Sequence, residues 1–153
     1  MIKKRLFTPG PVSAYPPSLQ AALDANIHHR TSDFKEILTN VIDALRRIFG
    51  EPAEMFLLTS SGSGAMEAAV TNFFSPGEEV LIASCGKFGE RWIELANKFQ
   101  LKATVLKFPY GDPVNPDDVR KALLENKNLR GVFVQACESS TAVQNDMDEL
   151  TRV

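Results

Sequence analysis

A run of small polar residues between an apolar stretch and a helical pattern is the first place where chemistry could gather in this chain. Thr59-Ser60-Ser61-Gly62-Ser63-Gly64-Ala65-Met66-Glu67 joins apolar residues 55–58 to a helix-spaced segment that reaches Phe74. Backbone without bulky side chains lets a ligand come close. The first N–H groups of a helix are unpaired and sit at the positive end of its dipole, so such a turn suits a phosphate or another anion. Taken alone, Ser61-Gly62-Ser63-Gly64 reads equally well as a tight turn. Gly86-Lys87-Phe88-Gly89 opens a later helical pattern, where the Phe88 ring could face a cleft, although periodicity alone makes Phe88 and Trp92 core residues. Glu138-Ser139-Ser140-Thr141 follows another apolar run and is either a site or a solvated loop.

Several other chemistries do not fit. No Gly-x-x-x-x-Gly-Lys-Ser/Thr run occurs, and the dinucleotide pattern started by Gly62 and Gly64 meets Glu67 where its third glycine belongs. Ser63 lacks the glycine two residues earlier that a nucleophile elbow requires, because residue 61 is Ser. His28 and His29 are adjacent and diverge on a helix or a strand, so no metal site is expected. Cys85 and Cys137 lie far apart without metal-type spacing, which reads as a reducing, cytoplasmic setting.

The elements that must position these residues follow from spacing. Residues 1–17 hold Pro9, Gly10, Pro11, Pro16 and Pro17, which predicts an extended arm, and 18–25 could form a short helix. A longer helix over 33–49 carries Phe34, Ile37, Leu38, Val41, Ile42, Leu45, Ile48 and Phe49 at helical spacing. Asp33 with Glu36 forms a capping-box pattern, Ser32 is an equally good N-cap, and Gly50 suits the C-terminal end. Four apolar runs, 55–58, 80–83, 103–108 and 131–135, then alternate with helical patterns over 64–74, 88–99 and 116–124. Asn115 caps the last of these, and Pro116 takes its first position. Strand–helix–strand alternation predicts an α/β fold with a mainly parallel sheet and flanking helices. Ligands of such sheets bind outside the carboxyl ends of the strands, here segments 59–65, 84–89, 109–115 and 136–141.

Composition agrees with one soluble globular domain: 153 residues, 44% hydrophobic and 24% charged. A net charge of -2 gives no footprint for nucleic acid or an anionic membrane. No apolar run approaches the roughly 20 residues of a membrane span, and Pro9-Gly10-Pro11 stands where a signal peptide would carry its apolar stretch.

Five stretches in order, Phe7-Thr8-Pro9-Gly10-Pro11, His28-His29-Arg30, Ser61-Gly62-Ser63-Gly64-Ala65-Met66-Glu67-Ala68, Gly86-Lys87-Phe88-Gly89-Glu90-Arg91 and Glu138-Ser139-Ser140-Thr141, resemble the class V aminotransferases. These are pyridoxal 5'-phosphate enzymes of fold type I, and the likeness is to the alanine–glyoxylate and serine–pyruvate group. The resemblance implies that Ser63, Gly64 and Ala65 hold the cofactor phosphate through backbone N–H groups and the Ser63 hydroxyl. It implies that Phe88 stacks on the pyridine ring, where many relatives have Trp, and that Ser139 hydrogen-bonds near the ring. Pro9 and Gly10 match a segment lying close to the substrate. One departure is Ala142, where relatives usually have Gly after the Thr.

The same resemblance implies what these residues lack. The Schiff-base lysine, the aspartate facing the pyridinium and the arginine that binds the substrate carboxylate all fall beyond the counterpart of Val153. Neither Lys87 nor Lys107 matches a lysine motif of the family. Residues 18–153 are therefore expected to be the N-terminal part of the cofactor-binding large domain, with the small C-terminal domain absent. The parent would move an amino group from alanine or serine to a 2-oxo acid such as glyoxylate or pyruvate, as a cytoplasmic homodimer, and the isolated chain would be inactive. Two alternatives remain: a non-catalytic split or truncated assembly module, and a related lyase or cysteine desulfurase. Phe88 argues against the desulfurases, which place a histidine on the ring.

Overall fold

The computed structural model describes residues 6–24, 26–50 and 54–153. The chain divides into two units, Met1–Leu57 and Leu58–Val153.

The first unit holds α1 (Pro16–Asp24) and α2 (Ser32–Phe49). Helix α1 begins two residues earlier than its breakers suggested, because proline is tolerated in the first helical turn, where no N–H is needed. The N-cap of α2 is Thr31, not Ser32 or Asp33: its hydroxyl accepts from the Phe34 N–H at 3.3 Å. Thr, Ser and Asp are consecutive here and all make good caps, so only the geometry decides among them. Gly50 closes the helix at φ 78°, its N–H donating to the Arg46 carbonyl at 2.9 Å. No residue of α2 is buried.

The second unit contains α3 (Gly62–Phe73), β1 (Glu79–Ser84), α4 (Lys87–Lys98), β2 (Lys102–Lys107), α5 (Pro116–Glu125), β3 (Leu129–Val134), β4 (Cys137–Glu138), β5 (Val143–Gln144) and α6 (Met147–Leu150). Strands β2, β1 and β3 lie side by side in that order, all parallel. The central strand β1 alternates between two cores. Val80 and Ile82 join Val70 of α3, Leu95 and Ala96 of α4, and Phe133; Leu81 and Ala83 join Val119 of α5 and Leu150 of α6. Helices thus cover both faces, which is why β1 reads as an unbroken apolar run. Asn115 caps α5 through the Asp117 N–H at 2.9 Å, and Pro116 holds the first position, both as expected.

One expectation about strands requires correction. Residues 55–58 join no ladder among the described residues, and Phe56, Leu57 and Leu58 are exposed. Apolarity qualifies a segment to be a strand, but only a paired neighbour makes it one. Conversely, β4 and β5 form an antiparallel hairpin that no periodicity announced, since two-residue strands are too short to show alternation. Among the described residues no helix is long and apolar enough to cross a membrane.

Candidate functional site

Parallel pairing sends the carboxyl ends of β1 and β3 to the same edge of the sheet, and the N-termini of α3 and α4 meet them there. Between these elements lies a pocket of about 420 Å³ lined by Ser61, Gly62, Ser63, Met66, Phe88, Trp92, Val134, Gln135 and Ala136. Its polar end is the first turn of α3. Among the described residues the Gly62 and Ser63 N–H groups have no acceptor, whereas the Gly64 N–H is turned back to the Ser61 carbonyl at 2.9 Å. Ser61 is the N-cap by position but makes no side-chain capping bond. The turn is tight: a Cβ on Gly64 would collide with the Ser60 hydroxyl, while nothing lies within 4 Å of one on Gly62. Open backbone with free donors is what an anionic group requires.

The other walls are aromatic and apolar. Phe88 is 43% exposed and contributes its ring at the start of α4. Trp92, one turn later, stacks on Phe133 with centroids 4.7 Å apart and ring planes at 18°. It serves the core and the pocket at once, and its buried indole Nε1 has no partner among the described residues. A donor-rich end, a facing ring and an apolar floor suit a flat aromatic ligand with an anionic arm, and the volume falls within the usual range of small-ligand clefts.

The hairpin β4–β5 holds this edge together. Glu138 is fully buried. Its Oε2 accepts from the Phe88 N–H at 3.0 Å and the Gly89 N–H at 2.9 Å, and its Oε1 accepts from the Ser140 hydroxyl at 2.5 Å. Burial pushes the Glu138 carboxyl up, but the donors from Ser140, Gly89 and Phe88 outweigh it and hold the group below the ordinary carboxylate range. The Ser140 hydroxyl in turn accepts from the Lys87 N–H at 3.0 Å. Helix α4 packs so closely here that a Cβ on Gly86 would lie 2.5 Å from Glu138 Cγ and Cδ, and one on Gly89 2.6 Å from the Ser84 hydroxyl. Asn145, also buried, accepts from the Val114 N–H at 2.8 Å and donates to the Gln135 carbonyl at 2.7 Å and the Cys85 sulfur at 3.5 Å.

Of the residues singled out in the sequence, Ser63 and Phe88 line one pocket. Gly64 faces a separate cleft with Leu58, Thr59, Ser60 and Glu67, and Ala65 is exposed. Ser139 is half-buried at the hairpin turn and is not a lining residue. Pro9 and Gly10 belong to the first unit and are exposed. Ala142 takes φ 58°, the left-handed region where glycine carries no steric penalty, so the turn keeps its shape despite the alanine. Sequence reasoning missed the structural role of Glu138. The available signal was an acid just after a buried strand, together with a helix start whose own cap, Gly86, has no side chain.

The chain is 36% identical over 147 residues to the soluble hydrogenase 42 kDa subunit of Anabaena cylindrica, which covers 95% of this chain and 38% of that protein. The crystal structure of an aspartate aminotransferase of subgroup IV from Thermus thermophilus matches with a TM-score of 0.88 and 38% identity, covering 97% of this chain and 41% of that one. That of an alanine–glyoxylate aminotransferase from Nostoc sp. matches with a TM-score of 0.87 and 26% identity, covering 99% and 41%. The chain spans 37–40% of the length of the curated relatives it matches. No protein-family model matches it.

Proposed function

We propose, on the premise that the chain is homologous to class V aminotransferases over part of their length, that it is the N-terminal portion of a pyridoxal 5'-phosphate-dependent aminotransferase. The observation that carries this reading is the single pocket shared by the α3 N-terminus and the Phe88 ring. The Gly62 and Ser63 N–H groups and the Ser63 hydroxyl take the phosphate, while Gly64, whose N–H is turned back to the Ser61 carbonyl, and Ala65 shape the turn that presents them. Phe88 covers one face of the ring, and Trp92 and Val134 exclude water from that side. Ser139 serves as a polar contact near the ring. When bound, the cofactor supplies the electron sink for breaking bonds at the α-carbon of an amino acid. This chain's part is to bind and orient. Among the described residues no lysine lines the pocket, so the Schiff-base lysine is assigned elsewhere.

For the whole enzyme, the reaction is transfer of the amino group of alanine or serine to a 2-oxo acid such as glyoxylate or pyruvate. It would act as a cytoplasmic homodimer. The alanine–glyoxylate name of the Nostoc structure supports this choice. A second donor, aspartate, is favoured by the name of the more identical Thermus structure. Competition between alanine, serine and aspartate for glyoxylate in the longer enzyme decides the donor; faster turnover of aspartate would overturn the first choice.

For the chain itself, pyridoxal phosphate should quench the emission of Trp92, the only tryptophan, saturably and in competition with inorganic phosphate. Borohydride reduction followed by mass spectrometry should leave no stoichiometric adduct on one lysine. Quenching indifferent to phosphate would remove the α3 cup from the reading, and a stoichiometric single-lysine adduct would refute the assignment of the lysine elsewhere.

A further inference from the structure

We propose that Glu138 is a positioning residue that aims the Phe88 ring into the pocket, an inference that rests on the cofactor reading above. Helix α4 has no cap of its own, because Gly86 precedes it and makes no side-chain bond. All three N–H groups of its first turn are instead taken by one hairpin some fifty residues away. Lys87 donates to the Ser140 hydroxyl at 3.0 Å, and Phe88 and Gly89 donate to Glu138 Oε2 at 3.0 and 2.9 Å.

The arrangement is built rather than incidental. Glu138 is 0% exposed, and its second oxygen is tied down by the Ser140 hydroxyl at 2.5 Å and the Ser140 N–H at 3.3 Å. Position 86 has no room for a side chain beside it. Fixing the Phe88 amide at a residue whose φ the helix also sets fixes the direction of its Cα–Cβ bond, and the ring can then choose only among rotamers radiating from that fixed point. The ring that results lines the same pocket as Ser63.

The same carboxylate sorts the two helix N-termini that meet at this edge. At α4 the positive end of the dipole is answered by the protein's own anion; at α3 the Gly62 and Ser63 donors remain free among the described residues. Glu138 therefore leaves one end of the pocket for the anionic arm and presents an aromatic face at the other. A ligand enters in one orientation only.

The experiment uses this chain with two probes, pyridoxamine 5'-phosphate and inorganic phosphate, followed by Trp92 emission for the first and by competition for the second. Circular dichroism confirms that each variant is folded. Glu138→Ala should weaken pyridoxamine phosphate about tenfold, the order of one aromatic contact, and leave inorganic phosphate unchanged. Phe88→Ala should give the same loss, and the double variant should be no weaker than Phe88→Ala alone, because both act through one ring. Glu138→Gln, which keeps an acceptor for the two amides, should restore most of the affinity, and Glu138→Leu, which keeps the bulk but offers no acceptor, provides the measurement of the loss if Glu138→Ala does not fold. The proposal is overturned if Glu138→Ala weakens both probes alike, if its loss adds in full to that of Phe88→Ala, or if pyridoxamine phosphate binds the variant as tightly as the unmodified chain. An unmodified chain that binds inorganic phosphate but gains nothing from the pyridine ring refutes the cofactor reading itself, and the proposal falls with it.

Discussion

Helices α2 and α4 carry equally clear apolar stripes and are specified in opposite ways. Helix α2 is written locally: Thr31 caps it, Asp33 and Arg46–Arg47 suit its dipole, and Gly50 ends it, yet it has no buried residue. Helix α4 has no side-chain cap at Gly86 and no left-handed glycine at its end, yet it buries Gly89, Leu95 and Ala96. Its first turn is satisfied by Glu138 and Ser140, and its stripe packs on β1 and β3. An apolar stripe is a demand for a partner, and only α4 meets that demand within its own unit. The helix easier to read in the sequence is thus held less by packing than α4, and the one at the site is held by residues distant along the chain.

Paired truncations sharpen this contrast most. Ile82→Ala, in the core that α4 covers, should cost about 2–5 kcal/mol in a urea titration, the range for deleting buried aliphatic groups. Ile48→Ala on α2, where the side chain is 75% exposed, should change stability by less than about 0.5 kcal/mol. Equal losses would break the comparison.

Acid should reach the α4 cap next. The folded-state pKa of Glu138 lies below its unfolded value of about 4.3, so its contribution is fully present above that pH. It is lost as pH falls through the lower, folded value. The expected contribution is on the order of 1 kcal/mol, the net worth of a hydrogen-bonded polar group. Thermal melts from pH 7 to pH 3 should therefore show a steeper acid loss in the unmodified chain than in Glu138→Gln. Identical slopes would mean that the carboxylate charge contributes nothing to holding α4.

The smallest effect concerns the hairpin that supplies this cap. Ala142→Gly relieves φ 58° at the turn but adds chain entropy to the unfolded state. The net gain should be about 0.5–1 kcal/mol, read as a small rise in melting temperature. A loss would show that the turn is not strained by its alanine.

What was legible followed the same division. The three strands of the sheet were placed within about two residues because buried parallel strands leave compact apolar runs, and α5 was placed by Asn115 and Pro116. The apolar residues 55–58 imitate that signal without a ladder among the described residues. Of the site, Ser63 and Phe88 could be found because each opens a helix after an apolar run. Glu138 could not: its work depends on partners about fifty positions away, and in the sequence it is one acid among small polar residues. Periodicity makes Trp92 a core residue, and it is both core and wall, since its indole stacks on Phe133 while the side chain lines the pocket.

Asn145 gives the binding edge a mechanical property. Its amide ties the segments that follow all three parallel strands, at Cys85, Val114 and Gln135. A push on the pocket wall at Gln135 is therefore carried across the sheet to the far loop through one side chain. The Val114 amide proton, donated to a buried carbonyl, exchanges with solvent only when that tie opens. Its exchange rate gauges how stiffly the edge is held, and can be read without any ligand present.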